Sequence, residues 1–459
     1  MSASRGEAAL SEPEVRSAVA GIGWPGIPND PGAHLAALLF QLERSQWLSP
    51  EWLRERQLGQ LRALLRHAKA TVPFYEGSLR ETDVDRLDWA AFQALPTLPR
   101  KGLQAGFEAL KSRGPPPGHG RVAQGQSSGS TGMPVRFLQT EATQLFWNAL
   151  TLREHLWQQR DFSGKLAAIR IKVEEGHHPD WGLPATALFR TGPGATLNVR
   201  TDIERQLDWL VREAPDYLIT HASNLHALAE SSLRRGIRLP RLRQARTYSE
   251  ALRPDLREMV RAAWGVEVAD GYSCEEAGYI ALQCPRHDHY HVQSENLLVE
   301  ILDEAGRPCG PGETGRVVLT PLHNFAMPLI RYELGDYAEV GAPCDCGRGL
   351  PVLARIHGRR RNMIALPDGR RHWPSFPSAL WLSVAAIRQF RVVQTMPGSL
   401  EVTYVMDRQL TGAEQKKLEE ALAGRLGHAF QVVWNRVDFI ERSPNAKFED
   451  FVSLLPVVD

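Results

Sequence analysis

Between Glu141 and Arg235, segments of helical apolar spacing alternate with short apolar runs, and this alternation constrains the fold more than any other feature. Helical patterns cover Glu141 to Gln159, Asp202 to Arg212 and Asn224 to Arg235. Leu166 to Val173 and Tyr217 to Thr220 read as buried strands. Such an order predicts an α/β class with a largely parallel sheet. Upstream, Leu58, Leu61, Leu64, Leu65 and Ala68 carry a helical pattern that runs from Leu35 to Ala70. It ends at Val72-Pro73, because the residue before a proline is pushed out of the helical region. Residues 1–33 are rich in Gly, Pro and Ala and are expected to form a loosely ordered arm.

Near residue 290 the character changes. Leu297 to Leu302, Gly315 to Thr320 and Tyr337 to Val340 are strand-like runs between Gly/Pro turns, a pattern expected of a small β subdomain over about 290–357. After Gly358-Arg-Arg-Arg-Asn362 come strands near Gln389 to Gln394 and Leu400 to Tyr404, a helix at Ala413 to Leu426 and a strand near Gln431 to Trp434. The division expected is an arm (1–33), a large body (34–357) and a small α+β domain (358–459).

The 459 residues are about three typical domain lengths. Apolar residues make up 43% and charged residues 23%, which excludes a wholly disordered chain. A formal charge of +1 leaves no electrostatic footprint for nucleic acid or an anionic membrane. No apolar run reaches the roughly 18 residues of a membrane span, and Met1 to Pro13 lacks the pattern of a secretory signal. Five cysteines are too few, and odd in number, for a disulfide framework, so a reducing cytoplasm is expected. Of 54 basic residues only eight are lysine, which leaves few candidates for lysine chemistry. Oligomeric state is not legible.

Two stretches carry chemistry. In Gly125-Gln-Ser-Ser-Gly-Ser-Thr-Gly132, glycines leave amides exposed, and the hydroxyls of Ser127, Ser128, Ser130 and Thr131 suit phosphate oxygens. Gly129 and Gly132 supply the turns. No Gly-Lys-Ser/Thr follows, so it is not a Walker A loop. Composition alone also fits a linker, but the strand-like Pro134-Val-Arg-Phe137 and the helix at Glu141 place it between structured elements. Cys284-x6-His291 and Cys344-Asp-Cys346 form the second constellation. Three thiolates and an imidazole would fill a tetrahedral structural Zn²⁺ site, with His287 or His289 able to replace His291. Filling all four positions leaves no open one, so this Zn²⁺ has no expected catalytic part. Cys274 and Cys309 are left over.

The Gly/Ser tract resembles the phosphate loop Ser-Ser-Gly-Thr-Thr-Gly-Lys-Pro of the adenylate-forming superfamily. Further likeness runs in family order from about Leu61 to Phe451, through Leu64 to Tyr75, Leu95 to Lys101, Tyr272-Ser-Cys-Glu-Glu276, Met327 to Asp336, Gly358-Arg359 and Ser443-Pro-Asn-Ala-Lys447. The chain is similar to the phenylacetate–CoA ligase and coenzyme F390 synthetase-like branch, as a divergent member. The resemblance implies a large α/β body with a mobile C-terminal lid. It implies activation of a carboxylic acid, an aryl one, by ATP to acyl-AMP, then transfer to a thiol of coenzyme A or of an acyl carrier protein. Ser127 to Gly132 would hold phosphates, Glu276 would position Mg²⁺, Tyr272 would pack on adenine, and Asp336 with Arg359 would take the ribose. Lys447 would bridge the attacking carboxylate and the α-phosphate as a point charge, and Arg360 and Arg361 would form the hinge.

The chain departs from the family at several of these places. Met133 stands where relatives carry lysine, Ser273 replaces a glycine, Tyr248-Ser249-Glu250 replaces Gly-Glu or Gly-Gly-Glu, and Ala446 replaces the glycine before the lysine. Arg360-Arg361-Asn362 stands where acidic residues are usual. Bulk at Ser249 and Ser273 is expected to reshape the adenine and acyl pocket. A second reading follows from the departures: a non-catalytic homologue that binds nucleotide or acyl ligand as a scaffold or sensor.

Overall fold

The computed structural model describes residues 13–127, 134–441 and 448–455. The alternation seen in the sequence builds the parallel half of a sheet that has twelve strands among the described residues. Gly194–Asn198, Leu166–Arg170, Tyr217–His221, Gln244–Tyr248 and Glu267–Cys274 lie side by side in parallel. The antiparallel half continues directly from Glu267–Cys274 through Gly278–Gln283, Tyr290–Val292, Val352–Arg359, Tyr332–Val340, Thr314–Pro321 and Leu297–Leu302. The segment 290–357, expected as a small β subdomain, is thus hydrogen-bonded into the main sheet. The join is the pairing of Tyr290–Val292 with strands on both sides.

Side chains alternate across each strand, and both faces of the parallel half are covered. Ala167, Ile169, Leu218 and Ala245 pack against Leu207, Leu210, Leu225, Leu228 and Val260, on the helices Ile203–Glu213, Ala222–Arg235 and Leu256–Trp264. The helices Glu141–Trp157 and Asp30–Ser45 share a second core, through Leu150, Trp157, Leu35 and Leu42. A separate four-stranded sheet follows, in the order Gln431–Val437, Ser399–Val405, Gln389–Met396, Phe451–Ser453. Its own core joins Val392, Leu400 and Val402 to Leu418 and Leu422 of the helix Gly412–Leu426 and to Trp381. Among the described residues no helix is long and apolar enough to cross a membrane.

The N-terminal region differs from expectation in two respects. The helical pattern of 35–70 is two helices, Asp30–Ser45 and Pro50–Thr71. Pro50 opens the second helix, where its missing N–H costs nothing, and the Ser49 side chain caps it at Trp52 N. The described part of the arm lies along the body: Val15 bridges Phe189, and Arg16 N donates to the Leu188 carbonyl at 2.8 Å. Asn29 then caps Gly32 N at 3.0 Å, which starts the first helix before residue 34.

One ion cluster holds the helix Glu141–Trp157 to the sheet. Glu154, 1% exposed, accepts from Arg160 at 2.7 and 2.9 Å and lies 2.8 Å from Arg246 Nε on the strand Gln244–Tyr248. Arg160 also donates to Gln244 Oε1 at 2.8 Å, and Arg246 donates to the Tyr279 hydroxyl at 2.8 Å. Burial alone would raise the Glu154 pKa, but Arg160 and Arg246 hold it down to about 2. Burial and the adjoining Arg160 lower His155 to about 3, so its imidazole is neutral.

Removing one member of a buried ion set strands the others, at about 3–5 kcal/mol. Glu154→Gln is therefore expected to lower thermal stability by that order at neutral pH, measured by calorimetry. The Glu154 value is depressed, so its contribution is present above the unfolded-state value of about 4.5 and fades as pH falls towards 2. The gap between wild type and variant narrows below about pH 4. A gap independent of pH would exclude this origin.

Candidate active site

Gly125 and Gln126, which begin the Gly/Ser tract, end the strand Val122–Gln126, which pairs antiparallel with Arg136–Thr140. Ser128, Gly129, Ser130, Thr131, Gly132 and Met133 lie outside the described residues. Ser127 and Val135 are bonded to each other: Ser127 N donates to the Val135 carbonyl at 2.8 Å, and Val135 N donates to Ser127 Oγ at 2.9 Å. Gly125 is needed for packing, because a Cβ there would lie 2.4 Å from the buried Phe137 ring.

Arg100, which the sequence reading did not single out, connects Ser127 to Glu276. Its guanidinium donates to Ser127 Oγ at 3.1 Å, to Glu276 Oε1 at 3.2 Å and to the Tyr332 hydroxyl at 3.1 Å. Glu276 is buried, and Oε1 also accepts from Tyr332 at 3.1 Å. Oε2 accepts no hydrogen bond from the described residues, and a small cavity beside it is lined by Thr143, Trp147, Gly278 and His323. A carboxylate with one oxygen pinned and the other open is a fit donor for a hard cation.

Tyr272, Asp336 and Arg359 come together from three separated segments. The Tyr272 hydroxyl donates to Asp336 Oδ2 at 2.9 Å, and Arg359 Nε lies 3.5 Å from Oδ1. Asp336 and Arg359 face each other across neighbouring antiparallel strands, which fixes the pair. Burial and the facing Asp336 raise the Tyr272 pKa well above the ordinary phenol range, so it stays a neutral donor. Ser249 adopts φ +74°, the left-handed region in which relatives' glycine is unstrained. A serine here stores backbone strain at the end of a central strand.

Lys447 and Ala446 lie outside the described residues. Phe448, the next residue, donates its N–H to Glu250 Oε1 at 2.8 Å. Glu250 Oε2 accepts from Ser223 N at 2.8 Å, at the start of the helix Ala222–Arg235. The C-terminal chain is therefore tied to the strand ends of the body. Ser378 N donates to Asp255 at 3.0 Å and Ser378 Oγ lies 3.0 Å from His226 Nε2, which adds a second tie. Of the hinge residues, Arg361 donates to Glu449 at 3.2 and 2.6 Å. Arg360 opens the short 3₁₀ turn Arg360–Asn362.

The cysteine motifs converge at another place. Cys284 Sγ lies 3.9 Å from Cys344 Sγ, and Cys346 Sγ lies 3.3 Å from His291 Nε2. His289 joins Cys284, His291 and Cys344, with donor atoms all within 4.8 Å of one another. For a tetrahedral zinc ion, bond lengths of about 2.3 Å to sulfur and 2.0–2.1 Å to nitrogen give S···S and S···N edges of about 3.8 and 3.6 Å. The observed separations bracket those edges. His291 Nδ1 faces the Leu350 carbonyl at 3.4 Å, which orients Nε2 towards the thiols, and burial lowers its pKa to about 4. His289 Nε2 is buried without a hydrogen-bond partner among the described residues. At Cys346 burial favours the thiol, but the Arg348 N–H donors prevail and hold the pKa below the usual range. The donor set fits Zn²⁺.

No family model matches the chain. It is similar to a phenylacetate–coenzyme A ligase of Thermus thermophilus, 25% identical over 381 residues that cover 79% of this chain and 83% of that protein. A phenylacetate–coenzyme A ligase of Pseudomonas putida is 24% identical over 378 residues, covering 77% and 79%. Among solved structures, 2-hydroxyisobutyryl-CoA ligase in the postadenylation state superposes with a TM-score of 0.69 over 90% of this chain and 91% of that one, at 17% identity. The same ligase in its thioesterification state superposes with a TM-score of 0.57 over 90% of this chain and 91% of that one, at 18% identity. The chain has the adenylate-forming fold, and over more than three quarters of its length its sequence is similar to phenylacetate–coenzyme A ligases.

Proposed function

We propose that this protein is an acid–thiol ligase that converts a carboxylic acid and ATP to acyl-AMP and pyrophosphate, then passes the acyl group to a thiol. One observation carries the reading. Arg100 joins Ser127 to Glu276, Glu276 lies four residues after the Tyr272 whose hydroxyl holds the Asp336 that faces Arg359, and Phe448, the residue after Lys447, is bonded to Glu250. In the first step an acid oxygen attacks the α-phosphorus and the bond to the pyrophosphate oxygen breaks. In the second a thiolate attacks the acyl carbon and AMP leaves. The protein's part is positioning and charge compensation.

Ser127 to Thr131 would hold the leaving phosphates, and Asp336 the ribose hydroxyls, beside Tyr272 and Arg359. Glu276 would hold Mg²⁺, which when bound neutralises phosphate charge. Lys447 would place a cation between the acid and the α-phosphate. Residues 34–357 would form the body and 358–459 a lid turning about Arg360 and Arg361 between the steps. By likeness to the phenylacetate ligases the acid is aryl; the thiol belongs to coenzyme A or to a carrier protein. Zn²⁺ bound by Cys284, Cys344, Cys346 and His291 would hold two loops together and take no part in the chemistry.

Three outcomes are expected. In acid-dependent pyrophosphate exchange, Lys447→Ala loses about 100-fold or more while its circular dichroism is unchanged; full activity would remove Lys447 from the mechanism. No exchange by the wild type with any aryl or alkyl acid would favour the scaffold or sensor reading. Arg100→Met loses about 10–100-fold and needs more Mg²⁺ for half-maximal rate, because Arg100 orients the metal-holding carboxylate. An unchanged Mg²⁺ requirement would restrict Arg100 to a structural part. Elemental analysis should find one zinc per chain, lost together with thermal stability in Cys344→Ser/Cys346→Ser; retention of zinc in that variant would move the site elsewhere.

A further inference from the structure

The last residues of the parallel strands form a row. His221 pairs in register with Tyr248, and Tyr248 with Gly271. Ala168 pairs with Ile219, so Arg170, two residues further on, stands level with His221. Residues two apart on a strand share a face, so this row lies on the face where Arg246 meets Glu154 of the helix Glu141–Trp157. Side-chain contacts agree. The Tyr248 ring lies 4.7 Å from the His221 ring, and the Arg170 guanidinium lies 5.9 Å from the Tyr248 centroid. Trp147, which lines the cavity beside Glu276, packs on Tyr279 at 5.1 Å, and Tyr279 in turn holds Arg246. The row is thus connected through Arg246 and Tyr279 to the lining of the cavity at Glu276, and on the acid-activating reading this is the side on which the acid would lie.

Within that wall the two guanidiniums are treated differently. Arg246 has Glu154 at 2.8 Å and the Tyr279 hydroxyl at 2.8 Å. The Nε of each arginine is buried without a well-aligned hydrogen-bond acceptor among the described residues, but Arg170, unlike Arg246, has no ion pair and donates no hydrogen bond to any described residue. The groups that act on its charge are Tyr248, Arg246 and Tyr279, none a carboxylate. An arginine does not relieve this by losing its proton. Its planar fork matches a carboxylate or a similar oxyanion in bidentate fashion. Tyr248 presents its ring to Arg170.

We propose that Arg170 is a specificity-determining residue that binds a second anionic group on the acid substrate, distal to the carboxylate that is activated. The substrate class is then a dianionic acid, of which a dicarboxylate is the simplest. This assignment rests on the acid-activating reading above, and its test is direct binding rather than turnover. Isothermal titration of the full-length protein, with AMP present, compares matched pairs: succinate against butyrate, and 4-carboxyphenylacetate against phenylacetate. The expected result is that the dianion binds about tenfold or more tightly in at least one pair. In Arg170→Met that preference falls to about one, while the monoanion affinity changes little. Equal or tighter binding of the monoanions overturns the proposal. So does a dianion preference that survives in Arg170→Met, or the absence of binding by all four acids. Selective binding of the dianion without pyrophosphate exchange would instead overturn the ligase reading and leave the Arg170 site standing.

Discussion

The buried carboxylate of Glu154 is the constraint on which the rest of the structure depends. It joins the helix Glu141–Trp157 to the central strand Gln244–Tyr248 through Arg246, and to the turn after the helix through Arg160. An apolar contact there would leave the helix free to slide by a fraction of a turn, because dispersion contacts have little direction. A carboxylate between two guanidiniums accepts in fixed directions, so the helix has one register on the sheet. That register sets Trp147 against Tyr279 and hence the wall of the cavity beside Glu276. The same helix is the direct continuation of the strand that follows the Gly/Ser tract, with Thr140 as its cap. One buried ion set thus links the strand Arg136–Thr140, which leads into the helix, to the wall of the cavity at Glu276.

Much of the fold is legible because periodicity reports burial directly. Leu297–Leu302 and the helix Ala222–Arg235 fall close to where apolar spacing places them. What periodicity could not give is lateral pairing. Tyr290–Val292 is three residues long, yet through it the strands after 290 join the sheet. Nothing local in so short a segment says which edge it completes. The single helical pattern of 35–70 concealed a break because Pro50 at a helix start and a proline after a helix end look alike in the apolar spacing.

At the site, spacing located the residues whose partners are set by sheet register: Asp336 opposite Arg359, and Tyr272 beside them. The cysteines were legible for a similar reason, since thiols are rare in this chain. The choice among His287, His289 and His291 stayed open because all three approach the thiols, His289 and His291 beside Cys284 and Cys344 and His287 beside Cys344. Arg100 went unseen because its partner Glu276 is 176 positions away and arginine is abundant. Its position also bears on the missing lysine at Met133. A guanidinium bonded at once to Ser127 and Glu276 keeps positive charge at the base of the phosphate loop.

Arg170 and Arg246 face the same space two strands apart, and their difference is informative because their costs differ. Each guanidinium gives up hydration on burial, and for Arg246 a carboxylate and a phenol oxygen offset that loss. For Arg170 no carboxylate or hydrogen-bond acceptor among the described residues does so, and only the Tyr248 ring faces it. Local rules are broken in natural proteins chiefly where function requires it, and two such breaks sit side by side here. The left-handed Ser249 directly follows Tyr248, and Tyr248 is the residue whose ring faces Arg170. A sequence under pressure for stability alone would place glycine at 249 and an apolar residue at 170. Retaining both departures side by side fits the proposed role of Arg170, in which the charge balance would be completed by an anionic group on the substrate.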